Sequence, residues 1–117
     1  MKLSEVRAYG KAWQDRLKLS EWEIQWRWMT KAETTENPSW NGFCQWECEH
    51  KLARIAIAKD SECIPHTVLH ECLHIRLEGY KSLEDLSDLE RIPVEVTINA
   101  LTGMCLKLEG LYSLNTL

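Results

Sequence analysis

Two histidines and a glutamate stand at a spacing that suits metal chemistry in the run His70-Glu71-Cys72-Leu73-His74. In a helix, residues four apart lie one turn apart on the same face, so both imidazoles can reach one ion. Zinc accepts imidazole nitrogen at about 2.0–2.1 Å. Glu71 follows the first histidine, so it would contact a water beside the metal rather than the metal itself. This H-E-x-x-H spacing predicts a zinc site with a carboxylate next to it.

The residues around this motif favour the helix that it requires. Apolar side chains dominate residues 67–69 before it and residues 75–77 after it. Pro65 suits the first turn of a helix, and Gly79 suits its end. We therefore predict a helix over residues 64–79. The alternative, two ordinary surface or core histidines, is disfavoured by this strongly helical setting.

A catalytic zinc normally has three protein ligands and leaves one position for water. Glu78 is excluded as the third, because His70 and Glu78 would lie about 12 Å apart along the helix axis. The third ligand must then come from another element. Glu95 is the first choice, since it lies in the first turn of a predicted last helix; the alternative is a carboxylate that only complements the helix dipole. The next choice is Glu90, and the remaining candidates are Asp85, Asp88, His50 and His66.

Asn99 is the predicted outer partner of a metal ligand. It follows Glu95 by four residues, so the two side chains share one face of the last helix. Metal-binding histidines usually donate their second N–H to a carboxylate or a carbonyl oxygen. We therefore expect the side-chain oxygen of Asn99 to accept a hydrogen bond from His70 or His74.

Together, His70-Glu71-Cys72-Leu73-His74 and Glu95-Val96-Thr97-Ile98-Asn99 resemble the motifs of the gluzincin metallopeptidases, the group that includes thermolysin. In that group the third zinc ligand is a Glu on a later helix, and an acidic residue four positions on supports a ligand histidine. Here Asn99 stands at that position, which makes the ligand histidine less basic. The short chain is most similar to the minimal gluzincins, among them uncharacterised metallopeptidases of bacteria and phages. The resemblance covers residues 20–108 in layout and is specific only in the two motif helices.

The resemblance implies a zinc metallopeptidase with a zincin-like fold. Glu71 would be the catalytic general base that takes a proton from water and passes it to the leaving amine. A peptide or protein substrate would lie extended along an exposed sheet edge and add a strand to it. The family also needs a donor for the oxyanion, and the sequence leaves four candidates open: His66, Tyr80, Arg91 and Tyr112.

Two other functions are compatible with the same residues. The first is a non-catalytic zinc-binding interaction module, which the length of 117 residues favours because it leaves little material for a deep cleft. The second is a protease specific for one partner protein. The intact Glu71 favours an enzyme over the binding module.

Composition and charge exclude several other classes. The net charge of −4 and the lack of a basic run argue against a nucleic-acid partner. The N-terminus lacks the apolar stretch of a signal peptide, and no segment reaches transmembrane length, so we expect a cytoplasmic protein with no membrane partner. The length predicts a single domain over residues 1–117.

The five cysteines are predicted to be reduced. An odd count without an export signal argues against a disulfide framework. A structural zinc on Cys44 and Cys48, completed by Cys63 or His50, is a minor alternative, because no second cysteine pair follows. The remaining cysteines are Cys72, inside the zinc motif, and Cys105.

Periodicity predicts an α+β domain. The N-terminal helix and the C-terminal helix would pack, with the zinc-motif helix, on one face of a small three-stranded antiparallel sheet. The second and third strands are separated only by a short turn, so we expect them to form a hairpin. The predicted elements are a helix over 3–19, strands over 23–30, 43–50 and 53–59, a loop or turn over 31–42, a polar connection over 81–92, and a last helix over 93–108 that ends before Gly110.

Tryptophan is concentrated in one stretch of the chain. Five of the six, Trp22, Trp26, Trp28, Trp40 and Trp46, lie within residues 22–46. Large rings at this density are more typical of a packed sheet face than of a substrate surface. We therefore predict that these rings belong to the core.

Overall fold

The computed structural model describes residues 1–81 and 88–115, and the side chains of residues 1–81 and 93–110. The described chain forms an α+β fold, as predicted. Its N-terminal helix is followed by a three-stranded sheet and by two later helices that pack together. The elements are α1 (Leu3–Arg16), β1 (Glu23–Trp28), α2 (Lys31–Glu36), β2 (Gly42–Glu47), β3 (Leu52–Ile57), α3 (Ile64–Glu78) and α4 (Asp88–Asn115).

The sheet is mixed, with β3 in the middle and β1 and β2 on either side of it. β2 and β3 are antiparallel, which confirms the predicted hairpin. β1 runs parallel to β3, so the prediction of an all-antiparallel sheet is wrong. A parallel pair needs a long connection between its strands. Here α2 and β2 lie in that connection, and β2 is placed on the far side of β3.

The two faces of the sheet differ in what covers them. Ile55 and Ile57 of β3 belong to the large core, to which α1, α3 and α4 also contribute. Ala56 and Ala58 lie on the opposite face, in a small cluster with Met29 and the partly buried Phe43. The alternation predicted for this strand is confirmed. The short helix α2 has no buried residues and contributes to neither cluster.

Residues 31–36 form the helix α2, although only a loop or turn was predicted for them from the sequence. Thr30 and Glu33 close a capping box at its start: the Thr30 side chain accepts from the Glu33 amide (3.2 Å), and the Glu33 carboxylate accepts from the Thr30 amide (2.8 Å). The same carboxylate forms a two-point ion pair with Arg27. These contacts lower the pKa of Glu33 to about 2. The pattern T-x-x-E is a recognised helix start, so this helix was readable from the sequence.

The last helix is longer than predicted. α4 begins at Asp88 rather than at Pro93, and it continues beyond Gly110. Pro93 therefore lies inside the helix, in its second turn, where it cannot donate the usual hydrogen bond to the carbonyl of Leu89. A single glycine costs a helix about 1 kcal/mol, which does not have to end it. Residues 82–87 of the predicted connection lie outside the described residues.

The prediction for the tryptophans holds for four of the five. Trp26 and Trp46 are buried in the main core, and Trp22 and Trp28 pack against it while partly exposed. Trp40 is the exception: it is 49% exposed and lies in the loop before β2.

Gly10 allows α1 to lie close to the sheet. A Cβ atom at this position would lie 2.3 Å from a ring carbon of Trp26 on β1. The buried indole therefore occupies the space of the missing side chain. This packing explains a glycine in the middle of a helix, where it is otherwise unfavourable.

We expect Gly10→Ala to destabilise the fold by about 1–3 kcal/mol, because the added methyl group overpacks the core against Trp26. The gain in helix propensity, about 1 kcal/mol, only partly offsets this cost. Urea unfolding would measure the difference. Gly103→Ala is the matched control, since no described atom lies within 4 Å of its added Cβ; it should stabilise the protein by up to about 1 kcal/mol. Changes in the free energy of unfolding that have the same sign in Gly10→Ala and Gly103→Ala would contradict the packing explanation.

All five cysteines are free thiols in the structure. Burial raises the pKa of Cys72 to about 12, and burial also raises the pKa of Cys44 well above its usual value. Both thiols are therefore poor nucleophiles. Of the helices in the described ranges, none combines the length and the apolar composition that a bilayer crossing requires.

Candidate metal centre

Helix α3 lies at the centre of the molecule and carries the predicted motif. Pro65 lies in its first turn, and the Thr67 hydroxyl donates to the carbonyl of Cys63 (3.2 Å). The helix contacts α1, α4, β2 and β3, and so it is buried on most of its surface. These contacts hold it firmly, which fixes the direction of the side chains on its remaining face. His70 and His74 lie on that face.

His70, His74 and Glu95 come together as predicted. One ligand atom from each residue can be chosen so that all three lie within 4.8 Å of one another. Nε2 of His74 lies 2.6 Å from one carboxylate oxygen of Glu95, and Nε2 of His70 lies 3.5 Å from the other. Helix α4 supplies Glu95, and it packs directly on α3. These three residues could hold a metal ion.

The donor set fits zinc. Two imidazole nitrogens and one carboxylate oxygen are ligands that catalytic zinc sites use. Bonds of about 2.0–2.2 Å at tetrahedral angles place neighbouring ligand atoms about 3.3–3.5 Å apart. The 3.5 Å between His70 and Glu95 already has this value. The 2.6 Å between His74 and the other carboxylate oxygen of Glu95 is a direct hydrogen-bond contact, so it would have to open by somewhat less than an ångström.

Glu78 has a role that was not predicted from the sequence. It is correctly excluded as a third ligand, because its carboxylate does not belong to the group of three. Instead, Oε1 of Glu78 lies 2.5 Å from Nδ1 of His74, on the side of the ring away from Glu95. The four-residue spacing from His74 to Glu78 is a signal that could have indicated this contact.

Asn99 lines the same cleft as His70 and contributes to the electrostatics of that ring. The predicted hydrogen bond from a ligand histidine to its side-chain oxygen stays a prediction. Burial lowers the pKa of His70, and His74 and His66 lower it further, whereas Glu95 and Asn99 oppose the change. The result favours the neutral imidazole, which is the form that binds metals.

Glu71 is buried beside the three potential ligands without being one of them. Its exposed fraction is 6%, and it lines the same cleft as His70 and His74. Burial raises the pKa of the Glu71 carboxyl to about 7; Glu95 and Glu78 add to the rise, and His74 opposes it. A carboxyl with a pKa near neutrality suits the exchange of a proton with a reacting group.

A cleft of about 650 Å³ opens over these residues. Its walls come from α3, from α4 and from the start of β2 with the loop before it. Gly42 lets β2 approach α3 here, because a Cβ atom on it would lie 2.8 Å from the Thr67 side chain. The indole N–H of Trp46 donates to the carbonyl of Lys81 (2.7 Å), which ties β2 to the end of α3. The volume lies within the range of ligand sites, about 300–1,000 Å³.

β2 is an edge strand, and within the described ranges no strand pairs with its outer side. The amide of Ala58 donates to the carbonyl of Asn41 (2.7 Å), which marks these two as a hydrogen-bonded pair. In an antiparallel ladder such pairs alternate with residues whose N–H and C=O point away from the partner strand. The outward-pointing backbone groups therefore belong to Gly42, Cys44 and Trp46, all of which line the cleft.

The other candidates are placed as follows. His66 lines the cleft, and its ring lies 6.2 Å from that of His70, but it is outside the group of three. His50 lies in the turn between β2 and β3 and does not line the cleft. Tyr80 is 75% exposed and does not line it either. Glu90 lies within α4, not before it as expected. The side chains of Asp85, Asp88, Glu90, Arg91 and Tyr112 are outside the described set.

The minor alternative of a zinc on Cys44 and Cys48 gains no support. Among the side chains that the structure describes, the three residues above are the only group of histidine, cysteine and acidic residues close enough to share an ion.

Comparison of the chain with models of protein families, with curated proteins and with solved structures finds no match.

Proposed function

We propose that this protein is a zinc-dependent peptide hydrolase of the gluzincin type, with His70, His74 and Glu95 as zinc ligands and Glu71 as general base. The observation that carries the proposal is the group His70, His74 and Glu95 on two packed helices, with the buried carboxylate of Glu71 beside it. A site for a structural metal would need no such carboxylate. The open position over the site also fits a catalytic rather than a structural metal.

The chemistry divides between the ion and the protein. A zinc ion held here would supply a Lewis acid toward a peptide carbonyl and a water molecule. Glu71 would accept a proton from that water and return it to the nitrogen of the leaving amine. Its buried position in the same cleft as the three potential ligands places it where it could make this exchange. The walls formed by α3 and α4 would limit the access of bulk water to the reacting groups.

The free edge of β2 is the proposed place for the substrate. An extended peptide could pair with the outward-pointing groups of Gly42, Cys44 and Trp46, so that its backbone passes over the three potential ligands. Main-chain pairing of this kind accepts many sequences. Trp40, exposed at the rim of the same cleft, offers an apolar surface to a substrate side chain. His66 is the oxyanion-donor candidate that lines the cleft among the side chains described.

Metal content tests the proposal first. We expect the purified protein to hold one zinc per chain, and His70→Ala to lose most of it, because two ligands cannot hold the ion as tightly as three. Elemental analysis after dialysis against a weak chelator would measure both. His50→Ala is the matched control, since His50 lies away from the cleft, and it should retain the wild-type content. A wild-type protein without affinity for zinc would overturn the proposed function.

A further inference from the structure

The imidazole of His74 lies between two carboxylates. Glu95 meets its Nε2 at 2.6 Å, and Glu78 meets its Nδ1 at 2.5 Å. A neutral imidazole has a single N–H, so it can donate to only one of the two. A metal ion bound to Nε2 leaves the imidazole proton on Nδ1. The carboxylate of Glu78 lies where it can accept a hydrogen bond from that N–H. The contact with Glu78 thus selects the tautomer that presents Nε2 to the metal.

Glu78 is among the most buried charged residues described. Its exposed fraction is 4%, although it belongs to the last turn of α3 and the ordinary place for such a residue is the surface. Burying a carboxylate is costly unless hydrogen bonds compensate for the loss of water. The short contact with His74 is the compensation that the structure provides. The burial of the Glu78 carboxylate is therefore explained if Glu78 acts on His74.

The two histidines have unequal partners. The side chain that lies near His70 on α4 is the neutral amide of Asn99, whereas His74 contacts a carboxylate directly. A carboxylate partner makes an imidazole a better electron donor than an amide partner does, and outer partners of this kind affect metal affinity strongly. The charged outer partner comes from the motif helix α3, and the neutral one comes from α4.

We propose that Glu78 is a positioning residue, which fixes the ring and tautomer of His74 for the metal and supplies the negative outer charge that Asn99 lacks. This inference rests on the proposed zinc site. It extends the functional motif from H-E-x-x-H to H-E-x-x-H-x-x-x-E on one helix.

Zinc affinity, measured by competition with a chromogenic chelator, tests the role of Glu78. We expect Glu78→Gln, which keeps the shape and an acceptor oxygen, to weaken binding by about 10-fold, and Glu78→Met, which removes the acceptor, by up to about 100-fold. Glu62→Gln is the matched control: it removes the same charge at an exposed position just before α3 and should leave affinity unchanged. Circular dichroism of the metal-free proteins would verify that each variant is folded.

A double-mutant cycle separates positioning from a general structural role. If Glu78 acts through His74, Glu78→Gln should have no further effect on zinc affinity in a His74→Ala background. An equal loss in both backgrounds would overturn the inference, and so would wild-type affinity in Glu78→Gln. Both of those results leave the proposed function intact, provided that the wild type binds zinc. A wild type that binds no zinc would overturn the two proposals together.

Discussion

Glu71→Gln is expected to retain zinc and fold but to lose peptide hydrolysis by about 10²–10⁴-fold, the usual contribution of general-base assistance. Glu71 lies beside the potential ligands without belonging to their group, so the substitution leaves the donor set intact. Glutamine is nearly isosteric with glutamate, and it should fit the buried position on α3. It cannot accept the proton of a water molecule. Replacing a buried carboxyl by an amide also removes no core volume, so stability should change little.

A peptide library supplies the substrate for this test. Wild type and variant, loaded with zinc to the same content, would be incubated side by side, and the products would be followed by mass spectrometry. Glu62→Gln again serves as the control for the loss of one negative charge, and it should cleave like the wild type. Equal cleavage by wild type and Glu71→Gln would show that Glu71 is not the general base. Zinc-loaded wild type that cleaves no peptide would favour the interaction module, for which a pull-down of partner proteins is the appropriate experiment.

Glu95→Ala is expected to weaken zinc binding by more than the roughly 10–100-fold that the loss of an outer partner costs, because a direct ligand is removed. Glu95 is the only carboxylate in the group of three described residues, and both histidines point Nε2 at it. The variant should keep its helix, since Glu95 is 46% exposed at the side chain and alanine favours α4.

Titration with zinc in the presence of a competing chelator would give the dissociation constants. Val96→Ala, at the next residue and 67% exposed, is the control for a substitution on the same helix, and it should bind zinc like the wild type. Tight zinc binding by Glu95→Ala would mean that another residue is the third ligand. Glu90 would then be the first residue to replace, since it lies less than two turns from Glu95 on α4.

Local spacing was sufficient to predict much of the candidate site. A four-residue interval places two side chains on one helix face whatever surrounds the helix, so His70 and His74 could be paired from the sequence alone. Pro65 and Gly79 indicated the bounds of α3, and the short turn between two predicted strands indicated the β2–β3 hairpin, because these signals depend only on neighbours in the chain. Glu95 and Asn99 followed from their shared face on the last helix and from the resemblance to gluzincins.

The tertiary structure decided what depends on residues far apart in the chain. An alternating strand pattern shows which side chains share a face, but it carries no information on the neighbouring strand or its direction; hence the parallel pairing of β1 with β3 was not predictable. The role of Glu78 also depends on packing between residues that are far apart in the chain. Its spacing made contact with His74 possible, but packing around α3 buries the carboxylate and directs it at Nδ1, while α4 brings Glu95 to Nε2 of the same ring.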